Sequence, residues 1–128
     1  MIILLKDIFI NKNEKTFISF IKSQVISLYN ELTYCIDLPD DVFLNVVNKS
    51  NIFVKINNNY RIKGIITIFI ESKIIHNAMC VAHIEDLVIK KEFRSKGIGK
   101  ELLKYAMNYA KNNNCYKVIL NCSDDLKE

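Results

Sequence analysis

Two blocks of the chain carry residues that could do chemistry. The first, His83-Ile84-Glu85-Asp86-Leu87-Val88-Ile89, sets two acids inside an apolar run; the second is Arg94-Ser95-Lys96-Gly97-Ile98-Gly99-Lys100. Carboxylates at the end of a run that otherwise wants apolar residues are candidates for general-base and electrostatic work. Glu85 and Asp86 are therefore singled out as candidate site residues. Glycines between a strand and a helix let backbone N–H groups converge on one anion. The helix dipole adds about 0.3–1 kcal/mol for an exposed charge. Arg94, Lys96 and Lys100 bring positive charge to the same place, so a phosphate or pyrophosphate is the expected ligand. The plain alternatives are a tight turn that binds nothing and acids that pair with lysines at a sheet edge. Neither a P-loop nor a dinucleotide fingerprint fits the glycine spacing. His83, next to the acids, reads as a hydrogen-bonded structural residue and not as a base.

These blocks need a strand before the glycines and a helix after them, and the hydrophobic pattern supplies both. Met79 to Ile89 is strand-like, and Leu102, Leu103, Ala106, Tyr109 and Ala110 recur at helical spacing over Lys100 to Lys111. A further strand follows at Tyr116 to Asn121, which makes a parallel pair across that helix. Upstream, Ile2 to Ile10 suits a first strand, and Phe17, Ile18, Ile21, Val25, Leu28 and Tyr29 mark a helix over Glu14 to Asn30. Pro39 and Asp40 open a short helix whose expected buried side is Val42, Phe43, Val46 and Val47. Ile52 to Ile56 and Tyr60 to Glu71 form a hairpin about Asn57-Asn58-Asn59. Ser123 is a good N-cap for a last helix. The order predicts a mixed α/β (α+β) sheet protein.

A length of 128 residues fits one domain over 1–128, and 50% hydrophobic with 25% charged residues excludes disorder. The net charge of +4 is interspersed, with no aromatic platform or basic stripe for nucleic acid. Four cysteines without metal-ligand spacing give no metal site and suggest reduced thiols in a cytoplasmic protein. The opening Met1–Leu5 run meets Lys6 and Asp7 too early for a signal peptide, and no stretch approaches the roughly 20 apolar residues of a membrane span.

The arginine, two residues, glycine, one residue, glycine pattern resembles the acetyl-CoA pyrophosphate loop, R/Q-x-x-G-x-G/A, of the GNAT superfamily. From about residue 64 onward the likeness narrows to the glucosamine-6-phosphate N-acetyltransferase family. It is carried by the block from His83 to Ile89, by Gly99-Lys100-Glu101-Leu102-Leu103, by Lys73-Ile74-Ile75-His76 and by Cys115 to Cys122; upstream only Leu32-Thr33 matches.

The resemblance implies a GNAT-like acetyl-CoA-binding fold with a central, mostly antiparallel mixed sheet. It implies direct acetyl transfer from acetyl-CoA to the sugar amine, without an acyl-enzyme. By the same resemblance, Leu87, Val88 and Ile89 offer backbone groups to the pantetheine arm, and Arg94, Ser95, Lys96, Gly97, Ile98, Gly99 and Lys100 form the pyrophosphate loop. Glu85, Asp86, Thr33, Ser72, Lys73, Ile74, Ile75 and Asn121 match sugar-phosphate positions, some reached from the partner in a homodimer. The resemblance also makes Glu85 and Asp86 the acids that hold the amine and favour loss of its proton, with Asp86 the stronger catalytic candidate. Asn121 stands where the family has an acidic or related residue, and Leu126 near a frequent Asn. The family continues past the position of Glu128 with a Phe-Tyr pair and further strands, so the expectation is a fold lacking its C-terminal strands. Two rivals remain open: acetylation of a peptide or polyamine on the same fold, and an acetyl-CoA-binding fragment without turnover.

Overall fold

The structure, a computed structural model, describes residues 1–121. The helix expected at Ser123, and the positions of Cys122 and Leu126, lie outside the described residues. Five strands form one sheet in the order β1-β2-β3-β4-β5: β1 (Ile2–Leu4), β2 (Ile52–Ile56), β3 (Ile62–Ser72), β4 (Cys80–Ile89) and β5 (Cys115–Leu120). The first three pairings are antiparallel and β4–β5 is parallel, joined by helix α4 (Ile98–Asn112) as a parallel crossover requires. This is the mixed sheet that the hydrophobic pattern predicts.

One face of the sheet is covered by α1 (Leu5–Ile8), α2 (Lys15–Asn30) and α3 (Asp40–Lys49). There Leu5, Ile8, Ile21, Val25, Leu28, Phe43 and Val47 pack on Ile52, Val54, Ile56, Ile62, Ile65 and Val88. The opposite face carries α4, whose Ile98, Leu102, Ala106 and Ala110 pack on Phe53, Ile66, Ile68, Ala82, Ile84 and Ile89. Gly64 is closely covered: an added Cβ would stand 2.8 Å from Ile89 Cδ1 and 3.0 Å from Leu102 Cδ1, so the ends of those two side chains would have to shift to admit it.

Two expectations are corrected. The first strand stops at Leu4, because Leu5 and Ile8 are both buried in one cluster. Residues three apart share a face in a helix but not in a strand, so the chain turns helical and leaves Asp7 outside. In α3 only Phe43 and Val47 are buried; Val42 and Val46 are 42% and 47% exposed, because this short helix touches the core along one narrow line.

Candidate active site

The acids stand at a β-bulge. Thr67 pairs with Glu85 and Ile65 with Val88, so Asp86 and Leu87 together face only Ile66. Asp86 has φ +53°, the extra residue's departure from extended backbone. Strict alternation would place Glu85 and Asp86 on opposite faces of the sheet. Instead Ile84, Leu87 and Ile89 all pack on the α4 side and Val88 on the other, a one-residue slip centred on Asp86. The signal was present in the sequence, where apolar spacing changes phase at the Glu-Asp pair.

Glu85 sits opposite Thr67, and Asn121 Nδ2 donates to Glu85 Oε1 at 3.2 Å. From α2, Tyr29 lies close enough to Thr67 and to Asp86 for both to act on its phenol. Burial, above all, pushes the Tyr29 phenol up to about 12, so it stays neutral. Asp86 is exposed as a residue, yet partial desolvation of its carboxyl, and then the Glu85 charge, raises its pKa. Tyr29, Thr67, Glu85, Asp86 and Asn121 thus gather at one place, and Tyr29 and Thr67 are members that sequence spacing did not find. Thr33 follows Tyr29 by one turn, its N–H donating to Tyr29 C=O at 2.9 Å. Lys22, paired with Asp40 at 2.9 Å and Asp37 at 3.4 Å, holds the segment after α2 against the helix.

Beyond the bulge, β4 parts from β5. Their pairing ends at Ile84, whose C=O accepts from Asn121 N–H at 3.0 Å. Past that point Leu87–Ile89 has no strand on this side among the described residues. Lys90 N–H donates to Lys63 C=O at 2.8 Å, so backbone alternation turns Val88 toward β3 and leaves Leu87 and Ile89 facing outward. Of the three residues expected to offer backbone groups, Val88 is therefore already committed.

The glycine loop leads from β4 through a 3-10 turn (Lys91–Phe93) into α4. Gly97 is the N-cap with φ +85°, and no side chain caps the helix. The first intrahelical bond, Glu101 N–H to Gly97 C=O at 3.0 Å, leaves the N–H groups of Ile98, Gly99 and Lys100 without helical acceptors. A Cβ added at Gly97 would meet nothing within 4 Å, so the helix start is open at that residue. Ser95, at φ +63°, and Lys96 are exposed beside it, as is Lys100. Such a cradle fits a diphosphate. Gly99 differs from expectation: it lies within α4, away from positive φ, and its added Cβ would make ordinary contact with Ile89 at 3.8 Å. Arg94 also departs from it. Its Nε donates to Ile89 C=O at 3.0 Å and its guanidinium pairs with Glu31 at 2.7 Å, so in this structure it faces protein partners.

Ser72, Lys73, Ile74 and Ile75 are not brought to Asp86. Ser72 pairs with Cys80, six residues before Asp86 on β4, a rise of about 20 Å at roughly 3.4 Å per residue. Lys73 pairs with Glu71 at 3.1 Å, and His83 lies 2.9 Å from the same carboxylate, which its hydrogen bond in the first place holds below its ordinary pKa. His83 thus has the structural partner expected of it. Burial raises the Cys115 thiol, which suits a packing residue and not a nucleophile. Among the described residues no helix is long and apolar enough to cross a membrane.

Residues 19–128 match the family model described as acetyltransferase (GNAT) family. A glucosamine 6-phosphate N-acetyltransferase of Arabidopsis thaliana is 41% identical over 61 residues, 48% of this chain and 41% of that protein. Glucosamine 6-phosphate N-acetyltransferase 1 of Dictyostelium discoideum is 31% identical over 105 residues, 82% of this chain and 60% of that protein. The matches thus span between two-fifths and three-fifths of these curated relatives. The crystal structure of glucosamine-6-phosphate N-acetyltransferase from Arabidopsis thaliana is similar with a TM-score of 0.75 and 30% identity, over 84% of this chain and 79% of that one.

Proposed function

The chain belongs to the acetyltransferase (GNAT) family, and from that membership we propose that it transfers the acetyl group of acetyl-CoA to the 2-amino group of D-glucosamine 6-phosphate. The observation that carries this reading is the bulge at Asp86, which sets two carboxylates where β4 leaves β5, one strand-to-helix turn from an open anion cradle. The likeness to relatives named for the sugar-phosphate reaction supports the acceptor.

The N–H groups of Ile98, Gly99 and Lys100 hold the diphosphate of acetyl-CoA, with Lys96 and Lys100 adding charge. The outward backbone groups of Leu87 and Ile89 flank the thioester arm, with the Ile89 carbonyl already held by Arg94. The amine nitrogen attacks the thioester carbonyl directly. A C–N bond forms, the C–S bond breaks, and CoA leaves with the sulfur electron pair. Asp86, beside the amine, takes the proton that nitrogen must lose, and Glu85, fixed by Asn121, orients the sugar. Ser72, Lys73, Ile74 and Ile75 come to the sugar phosphate from a second copy, because their own Asp86 is too far along the strand. The product, N-acetyl-D-glucosamine 6-phosphate, serves UDP-N-acetylglucosamine synthesis in the cytoplasm.

Release of free CoA thiol, followed with the purified chain, acetyl-CoA and a panel of amines, tests the proposal. Turnover with glucosamine 6-phosphate and not with peptides or polyamines is expected. Acetylation of a peptide but not of the sugar phosphate overturns the acceptor; tight acetyl-CoA binding without any turnover overturns the catalytic reading.

A further inference from the structure

Glu31 is an acid in the wrong place for its own helix. It is the C-cap of α2, where the helix dipole is negative, and the last turn of α2 carries no basic residue. Its compensating cation comes from far along the chain: the Arg94 guanidinium, 2.7 Å away across 63 positions of sequence. The same arginine reaches back through Nε to the Ile89 carbonyl at 3.0 Å, so one planar fork ties the end of α2, the end of β4 and the start of the glycine loop.

The next residues depend on that tie. Phe93 and Arg94 are held by the 3-10 turn, with N–H bonds to Lys90 and Lys91 carbonyls at 2.8 and 3.3 Å. Ser95 and Lys96 have no hydrogen bond among the described residues, and regular bonding resumes only with Gly97 C=O in α4. Ser95 nonetheless holds φ +63° and Gly97 φ +85°, conformations that aim the cradle. Gly97 takes its positive φ without strain, but that of Ser95 is strained and persists only where its surroundings fix it. Arg94 is the last side chain before it with a long-range anchor.

We propose that Glu31 is a positioning residue of the donor site: by holding Arg94 against the end of β4, it fixes the direction in which the loop runs and so keeps its amides on the CoA diphosphate. The inference rests on the acetyl-CoA reading given above. It departs from the simpler assignment in which Arg94 itself grips the diphosphate and Glu31 competes for it. The two predict opposite signs.

Calorimetry of acetyl-CoA binding, with thermal midpoints on the same samples, decides between them. Glu31→Gln, close to isosteric, and Glu31→Ala are expected to weaken binding about three- to five-fold, the scale of a partly exposed ion pair. The midpoint changes little, the KM for acetyl-CoA rises and kcat at saturation is kept. Arg94→Lys, which keeps the charge but cannot reach both partners, should bind as weakly as Arg94→Ala. The Glu31→Ala/Arg94→Ala double variant should be no worse than Arg94→Ala. Tighter binding in Glu31→Gln, or normal binding in Arg94→Lys, overturns the inference in favour of direct contact. Equal affinity in the unaltered and Glu31→Ala chains overturns it alone, whereas no acetyl-CoA binding by the unaltered chain overturns the donor-site reading beneath it.

Discussion

Asp86 owes its position to being the residue that the β4–β3 ladder leaves over, which frees its carboxylate from a face of the sheet. Asp86→Asn keeps the bulge and removes the proton acceptor. Transfer is expected to slow by about 10²–10⁴-fold with the Kd for acetyl-CoA unchanged, the range of positioned acid–base groups; paired turnover and calorimetry check this. Desolvation and the Glu85 charge both favour the protonated acid, so its pKa lies above the ordinary value. Asp86 must be ionised to accept a proton, and activity therefore falls as pH drops through that raised pKa. Glu85→Gln removes the second cause, so the acid limb of kcat/KM should move to lower pH; a limb that stays in place assigns it to another group. The acids were legible in the sequence as polar intruders in an apolar run. Tyr29 was not: its spacing marked it only as part of the helix's apolar face, and its neighbour Thr67 lies 38 positions on in the sequence. Glu31 escaped for the same reason, since an acid at a helix end looks solvated until its distant arginine is seen.

The strand, loop and helix that build the cradle were legible as elements because two periods meet there: alternating apolar residues up to Ile89, then helical spacing from Ile98. What the pattern does not distinguish is the work of the two glycines. Gly97 takes positive φ in front of open space, so Gly97→Ala costs folding stability about 1–2 kcal/mol through backbone strain and adds a methyl where the diphosphate would lie. Gly99 is a helical residue, and Gly99→Ala should stabilise α4 by about 0.5–1 kcal/mol. Calorimetry should show acetyl-CoA binding lost or much weakened in the first and retained in the second, consistent with a motif that tolerates alanine at the later position. Gly97→Val, bulkier still, should bind no better than Gly97→Ala. The short helix α1 shows the opposite failing of periodicity: four residues are too few to establish a period, and only the joint burial of Leu5 and Ile8 decides between strand and helix.

At the scale of the molecule, one sheet serves two cores, and the candidate site lies where α2 and α4 meet its β4 edge from opposite sides. Ile65 on one face and Leu102 on the other are both fully buried. Ile65→Ala and Leu102→Ala should each cost about 2–5 kcal/mol and lower one shared calorimetric transition; two separable transitions would show that the faces fold independently. On the proposed reading, the same layout leaves the sugar-phosphate residues of one copy apart, so a second copy would have to complete the site. Lys73 stands at the far end of the β3–β4 hairpin, next to Ile74 and Ile75, which are 98% and 63% exposed. Apolar residues so far into solvent suit a surface that a second copy covers. Activity per chain should therefore fall on dilution in step with dissociation measured by sedimentation. Lys73→Ala should raise the KM for the sugar phosphate and leave that for acetyl-CoA unaltered. Constant activity per chain across a range where sedimentation shows only monomer would place the whole acceptor site within one copy, and the far end of the hairpin would then have no part in it.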